Sequence, residues 1–492
     1  MNRKWIALMM AGSLLTGAGG TYGSMQFLEK KEASSTLEQA LIPQNKPKAA
    51  ANVKTAASET ETKDLKKVEK AYDLILDNYV EKVDQDKLVE GAIQGMLSVL
   101  KDPYSVYMDK DTAQQFTQTL ESSFEGIGAE VGMVDGKIVI VSPFKNSPAE
   151  KAGIKPNDQI LKVDGDSVEG LDLNKATLKI RGKKGTTVTL EIARKGLKEP
   201  LTVKVKRDEI PLETVHSSVK KQDGKKVGYI EITSFSDQTD EDFKKSLKEL
   251  EDDKIKGLVL DVRGNPGGLL ESVDEILKEF IPNDKPYVQI QERNGDKRRF
   301  FSAITEKKPY PVVVLTNKGS ASASEILAGA LKEAAGYPIV GEKTFGKGTV
   351  QQAMPMEDGS NIKLTLYKWL TPDGNWIHKK GIKPDVAVKQ PVIFSTHPLQ
   401  IEKPLVKDMN NEQVKNAQEI LDGLGLAPGR TDGYFSEETA AAVKGFQQNH
   451  DLPVTGKIDA NTASKLEEAA MKEMKKEKND LQLQAALRLA AK

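Results

Sequence analysis

Val312-Val313-Val314-Leu315-Thr316 runs directly into Asn317-Lys318-Gly319-Ser320-Ala321-Ser322-Ala323-Ser324-Glu325-Ile326, and an apolar helical pattern continues to about Ala335. A short, wholly apolar strand turning into a helix is the repeating unit of an α/β layered domain. The first N–H groups of such a helix have no acceptor within it and face whatever approaches the turn. A serine at this junction is therefore either an N-cap or an exposed nucleophile whose oxyanion the amides can hold. Read alone, the stretch favours capping.

The same alternation extends toward the N-terminus. Gly228–Ile232 reads as a strand, Asp240–Leu250 as a helix, Gly257–Asp261 as a buried strand and Gly268–Phe280 as a helix. Between the last two lies Asp261-Val262-Arg263-Gly264-Asn265-Pro266-Gly267-Gly268. Its glycines either make a tight turn or let the backbone approach a ligand and present N–H groups as an oxyanion hole. Downstream, Gly341-Glu342-Lys343-Thr344-Phe345-Gly346-Lys347-Gly348-Thr349-Val350-Gln351-Gln352 approaches a phosphate loop. Gly348 stands where the magnesium-binding Ser/Thr belongs, and the pattern is strand–turn–strand, so nucleotide binding is set aside. Lys347 is either an ordinary surface lysine or, packed against apolar groups, a neutral amine able to act as general base.

The 492 residues include 72 Lys+Arg, 72 Asp+Glu, four His and no Cys. Without cysteine there is no thiol catalysis, zinc–thiolate site, iron–sulfur cluster or disulfide. Four scattered histidines fit neither a His-rich metal site nor a Ser-His-Asp triad well, and no cofactor or metal is expected. Balanced charge gives no general attraction to nucleic acid. The length predicts three or four domains.

Arg3 and Lys4 precede an uncharged, glycine-rich stretch from Trp5 to Leu28. Residues 1–29 thus read as a signal peptide or an uncleaved membrane anchor, with the remainder exported. Residues 30–62 read as a flexible linker. Leu65, Val68, Tyr72, Ile75 and Tyr79 step at helical spacing, and Leu88, Ala92, Met96 and Leu100 mark a second helix before Asp102-Pro103. Residues 63–123 are therefore a helical section expected to dock on another domain or a second subunit. Residues 124–206 are β-rich, 207–400 hold the layered unit, and 405–470 form a small helical unit. Residues 471–492 read as a charged helix for dimerisation or packing.

The three clusters, in this order with Asp102-Pro103-Tyr104-Ser105 ahead of them, resemble the tail-specific, or carboxy-terminal processing, serine peptidases of family S41. The likeness spans about residues 65 to 390. It implies a multidomain α/β chain: a crotonase/Clp-like layered peptidase domain, an inserted β-rich PDZ domain, an N-terminal helical cap and a C-terminal three-helix module. It also implies a Ser–Lys dyad, with Ser322 as nucleophile ahead of its rivals Ser320 and Ser324. Lys347 would be the base, oriented by Gln351. The oxyanion donors would be the amides of Ala323 and of Gly267 or Gly268. Glu325 reads as a local cap or ion-pair partner with no chemistry.

The PDZ-like segment opens with Gly126-Ile127-Gly128-Ala129 and has Asn157 where these domains usually have Gly. The resemblance implies that this loop offers N–H groups to a peptide's terminal carboxylate, with Ile127 helping to line a pocket for an apolar last side chain. Arg181 is expected at the contact with the peptidase. Residues 411–470 resemble the peptidoglycan-binding three-helix module, with Ser436 and Asp459 at N-cap positions and Tyr434, Gln447 and Gln448 as candidate glycan contacts. The resulting expectation is a serine endopeptidase cutting exported proteins near apolar C-termini. It would be extracytoplasmic, membrane-anchored or secreted, cell-wall associated and homodimeric, with no nucleic-acid partner. An inactive PDZ and wall-binding scaffold and a glycan hydrolase are the competing readings.

Overall fold

The computed structural model describes residues 58–492 except 122, 135, 172, 195, 196 and 198. The expected anchor from Trp5 to Leu28 and most of the 30–62 linker lie outside the described residues. Among the described residues, no helix is long and apolar enough to cross a membrane.

Leu258–Asp261, Val312–Thr316 and Ile339–Gly341 are buried at every position, as the apolar runs 258–260, 312–315 and 339–340 require of strands covered on both faces. They are the centre of a six-stranded sheet ordered Val215–Gln222, Lys225–Ile232, Leu258–Asp261, Val312–Thr316, Ile339–Gly341, Val386–Ala387. The first pair is antiparallel and the others parallel. Alternate side chains enter different cores. On one face Leu258, Leu260, Val312 and Val314 pack with Phe243, Ile276 and Leu327 from the helices Thr239–Asp252, Leu270–Leu277 and Ala323–Glu333. On the other, Val227, Val259, Val313, Leu315 and Val340 are covered by Leu483, Ala486 and Leu487.

Those last residues belong to the helix Leu481–Ala490. Residues 471–492 therefore do not form one charged helix. Ala460–Met474 ends, a short turn at Glu477–Asn479 follows, and Leu481–Ala490 supplies the third layer of the peptidase. The helix expected over Gly268–Phe280 is also shorter, because Gly268 pairs with Phe235 in an isolated parallel bridge and regular helix begins at Leu270.

A second sheet runs Val106–Met108, Asn361–Leu370, Val288–Gln291, Lys297–Phe300, with Thr349–Pro355 also paired to Asn361–Leu370. Its edge strand Val106–Met108 comes from the N-terminal section. The next helix, Lys110–Leu120, buries Ala113, Phe116 and Leu120 against Leu269 and Ala353. The N-terminal section thus docks on the peptidase, as its small size demands. Helices Ser58–Asn78 and Gln85–Ser98 leave Leu65, Val68, Ile75, Val89 and Met96 exposed.

The PDZ unit is a six-stranded sheet, Ala129–Val134 to Leu201–Lys206 with Asp166–Ser167 paired to Gln159–Val163, around Ile138, Ile140, Ile160 and Leu190. Asn157 has φ 66°, the left-handed conformation that asparagine tolerates in place of glycine. An antiparallel ribbon, Ser123–Gly126 with Asp208–Pro211, joins the unit to the rest. The three-helix module consists of Glu412–Gly423, Glu437–Asn449 and Ala460–Met474, capped by Asn411, Ser436 and Asp459. Gln447 is buried there, its amide nitrogen donating to Thr455, Thr462 and the Lys457 carbonyl. It holds the loop after its helix and is no surface glycan contact, whereas Gln448 is exposed.

Candidate active site

Ser322 stands where the turn from the strand Val312–Thr316 meets the helix Ala323–Glu333, with φ 54° and ψ −116°. A capping serine ordinarily has extended backbone, so this conformation is strained and persists only where its surroundings hold it. Ser320 and Ser324 provide part of that hold. The Ser320 hydroxyl donates to the Val262 carbonyl at 2.7 Å, and the Ser324 hydroxyl to the Asn265 carbonyl at 2.9 Å. The Ala321 N–H donates to the same Asn265 carbonyl at 3.0 Å. Both rival serines thus stitch the serine turn to the glycine turn. Ser322 instead lines a cleft with Gly268, Leu270, Ile326, Gln351 and Trp369.

Gly267 has φ 107°, and a Cβ there would stand 2.8 Å from the Ser322 Cβ. Gly268 has φ 145°, and its Cβ would lie 1.9 Å from the Phe235 carbonyl oxygen. Neither position admits a side chain. Their amides differ: the Gly267 N–H donates to Asn265 Oδ1 at 2.8 Å, while the Gly268 and Ala323 N–H groups meet no acceptor among the described residues.

Glu325 is fully buried, and its carboxylate accepts four hydrogen bonds. Oε1 takes the Thr344 hydroxyl at 2.6 Å and the Gly346 N–H at 2.7 Å. Oε2 takes the Ser322 N–H at 3.0 Å and the Lys347 N–H at 2.7 Å. One oxygen therefore holds the backbone of both Ser322 and Lys347. Burial pushes the Glu325 proton affinity up, and the four donors oppose it.

Lys347 is 1 % exposed. Its Nζ lies 4.9 Å from the centre of the Tyr104 ring, and its carbonyl accepts the Trp369 indole N–H at 2.8 Å. Desolvation, helped by the nearby Lys363 charge, lowers its pKa from 10.5 to about 7, although Asp102 and Glu325 pull the other way. Lys363 is itself buried, with Nζ 4.8 Å from the Phe116 ring centre. Tyr104 and Asp102 reach the site because Val106–Met108 pairs with Asn361–Leu370. Ser105 fastens the junction, donating to Asp102 Oδ2 at 2.7 Å and accepting the Thr365 N–H at 3.0 Å.

Gln351 is buried beside this cluster. Its Nε2 donates to the hydroxyls of Thr349 at 2.9 Å and Thr365 at 3.1 Å. Oε1 is left buried without a hydrogen-bond partner among the described residues. Gly268, Ser322, Ala323 and Gln351 thus share one cleft, with Lys347 held next to it through Glu325 and Gly267 packed behind Ser322. Sequence reasoning read Glu325 only as a local cap or ion-pair partner, quoted Tyr104 and Asn265 only within their motifs, and missed Lys363. The Ser322-to-Glu325 spacing is a capping signal, but the Thr344, Gly346 and Lys347 donors come from another turn and leave no mark in the local pattern.

In the PDZ unit, the Ile127 and Gly128 N–H groups meet no acceptor among the described residues, while Gly126 and Ala129 begin or end strands. Ile127 is 2 % exposed in the domain core, so it supports the loop and does not present an open pocket wall. The Arg181 guanidinium lies over the Phe124 ring, 4.7 Å from its centre. It borders a cavity of about 590 Å³ shared with Asp111, Gln114 and Gln118 of the docked helix Lys110–Leu120.

Residues 226–388 match peptidase family S41, 126–205 match the PDZ domain and 410–466 match the peptidoglycan-binding domain family, described as putative. Residues 14–112 match the N-terminal domain of the activating protease CtpB. The chain is 60% identical over 489 residues to carboxy-terminal processing protease CtpB of Bacillus subtilis (strain 168), covering 99% of each. It is 45% identical over 421 residues to carboxy-terminal processing protease CtpA of the same organism, covering 86% of this chain and 89% of that one. Among solved structures, the photosystem II D1 C-terminal processing protease aligns at 29% identity with a TM-score of 0.42, covering 66% of this chain and 86% of that one.

Glu325→Gln preserves the shape of the shared acceptor but turns one oxygen into a donor facing N–H or O–H groups. Leaving buried donors unmatched costs about 1–3 kcal/mol each. Thermal unfolding should show a lower Tm, and peptide cleavage should fall by about tenfold or more. Unchanged Tm and activity would remove Glu325 from its place as the shared anchor.

Proposed function

The chain belongs to peptidase family S41 and is a carboxy-terminal processing serine protease with a PDZ domain, and within that family we propose that Ser322 and Lys347 are its catalytic dyad. The reading is carried by one observation: a lysine 1 % exposed, with its pKa lowered to about 7, shares a carboxylate oxygen with the strained Ser322. Near neutral pH a substantial fraction of Lys347 is the free amine. That amine takes the Ser322 proton, and the alkoxide attacks the scissile carbonyl. The Gly268 and Ala323 N–H groups hold the oxyanion. The ammonium then protonates the leaving amine, and Lys347, neutral again, activates the water that resolves the acyl-enzyme. Gln351 Oε1, the buried acceptor without a partner, receives a hydrogen bond from the lysine while it is charged, and the Tyr104 face steadies the same charge.

Ser322→Ala and Lys347→Ala should each abolish peptide cleavage with the far-ultraviolet spectrum unchanged. Below pH about 7 Lys347 is charged and cannot accept the proton; above it the amine is free. Thus kcat/KM should rise with pH through an apparent pKa of about 7 and then level. Wild-type activity in either variant, or a flat profile through that range, would dismiss the dyad.

Substrate choice follows from the PDZ unit in the same reading. The free N–H groups at Ile127 and Gly128 suit a terminal carboxylate, and the peptide adds along the strand Ala129–Val134. Proteins with apolar C-terminal tails are the proposed substrates, and Arg181, facing the docked helix, transmits occupancy to the peptidase. A short apolar tail peptide should stimulate cleavage of an untethered substrate, and Arg181→Ala should reduce that stimulation about tenfold. An identical response in the variant would dissociate Arg181 from activation.

The peptidoglycan-binding domain match and the processing-protease relatives support an extracytoplasmic location. Retention at the cell wall is proposed from the three-helix module, and a homodimer from the exposed apolar faces of Ser58–Asn78 and Gln85–Ser98. The full-length protein should co-sediment with purified murein sacculi and run as a dimer in analytical ultracentrifugation. Protein left in the supernatant, or a monomer at micromolar concentration, would reject the respective assignment.

A further inference from the structure

The chain returns to the peptidase after the three-helix module. Gln390 precedes the module and Asp480 follows it, and their side chains meet: Gln390 Nε2 donates to Asp480 Oδ1 at 2.6 Å. The Leu481 N–H donates to Gln390 Oε1 at 3.1 Å, and Gln482 Nε2 to the Val388 carbonyl at 2.8 Å. The module is thus an insertion closed at its base, with the helix Leu481–Ala490 returned to the peptidase sheet.

Asp480 also grips the glycine turn. Arg263 Nη1 donates to Asp480 Oδ1 at 2.9 Å and Nη2 to Oδ2 at 2.8 Å, a bidentate pair. Nη1 further reaches Gln482 Oε1 at 3.2 Å, and Nε and Nη2 bind the Asp261 carboxylate at 2.9 and 2.6 Å. The guanidinium is clamped between one carboxylate of its own turn and one from beyond the module. Burial works against the Asp480 charge, but the hydrogen bonds and charge of Arg263, together with the donors of Leu483 and Gln390, hold the carboxyl below its ordinary range.

What Arg263 fixes is the backbone that faces Ser322. The Val262 carbonyl receives the Ser320 hydroxyl, the Gly264 N–H donates to Asn317 Oδ1 at 2.8 Å, and the Asn265 carbonyl receives Ala321 and Ser324. Gly267 and Gly268 follow directly. We propose that Asp480 is a positioning residue that, through Arg263, sets the glycine turn against the serine turn, so the chain beyond the three-helix module completes the active site. The inference rests on the proposed dyad and its oxyanion donors. A displacement on the order of 1 Å at a reacting centre costs about a hundredfold in rate, so a loosened clamp registers in kcat before it registers in binding.

The test uses the full chain and a tail-bearing peptide substrate. Asp480→Asn should lower kcat about tenfold or more with KM within about twofold, and Asp480→Glu, which keeps the charge, should recover part of the loss. Leu487→Ala removes a buried contact of the same helix without touching Arg263. It should lower Tm yet leave kcat, measured well below that Tm, within about twofold. A kcat within twofold of the parent in folded Asp480→Asn, or an equal kcat loss in Leu487→Ala, would overturn the positioning role. Should Asp480→Asn not fold, Asp480→Glu is compared with Leu487→Ala on the same terms. Ser322→Ala is run alongside: cleavage surviving there would refute the dyad, whereas an inactive Ser322→Ala beside a fully active Asp480→Asn refutes this inference alone.

Discussion

The carboxylate of Glu325 is the constraint on which the site depends. An isolated buried charge costs several kcal/mol, and the cost is met only when every lone pair is matched. Here the donors come from two places: Ser322 at the start of the carboxylate's own helix, and Thr344, Gly346 and Lys347 from the turn before Thr349–Pro355. A satisfied buried network of this kind is rigid. It keeps Ser322 at φ 54°, and it ties the backbone of the serine turn to that of the lysine turn through one carboxylate oxygen.

The lysine is governed by opposed influences, of which burial is the largest. A fall from 10.5 to about 7 corresponds to about 5 kcal/mol in favour of the neutral amine. Desolvation and Lys363 drive the fall, while Asp102 and Glu325 limit it. Lys363 lies on the strand Asn361–Leu370, and Asp102 and Tyr104 belong to the N-terminal section. That section is more than a cap: its edge strand delivers an aromatic face and a carboxylate to the base, so local chemistry at Lys347 depends on docking more than two hundred residues upstream.

Much of this was legible in the sequence because it is written in short-range pattern. Apolar runs at Leu258–Asp261 and Val312–Thr316 announce strands covered on both faces, and the glycines at 267 and 268 stand where no Cβ fits. Ser322, Lys347 and Gln351 are singled out in the sequence by the motifs around them, and the fold brings Ser322 and Gln351 into one cleft. The rest depends on contacts between segments far apart. Glu325 looks like a helix cap until the turn at 344–347 folds over it. Gln447 looks like a surface residue until the loop 455–462 closes on its amide. Ile127 sits in a loop expected to bind ligand, yet its side chain packs into the PDZ core. Residues 471–492 carry enough Lys and Glu early on to mask the apolar face of Leu481–Ala490, whose role is set by the uncovered sheet behind it.

That last helix has a consequence for how the enzyme is made. Lys225 Nζ meets the Lys492 carbonyl, and Lys220 meets Glu477, across separations of 267 and 257 residues. Contacts so distant along the chain form late and slowly. During synthesis the rear of the peptidase sheet has no cover until the PDZ unit, the serine and lysine turns and the three-helix module have all emerged. The peptidase sheet is therefore completed only by a helix that follows the three-helix module, which makes Leu481–Ala490 the closing element of the fold.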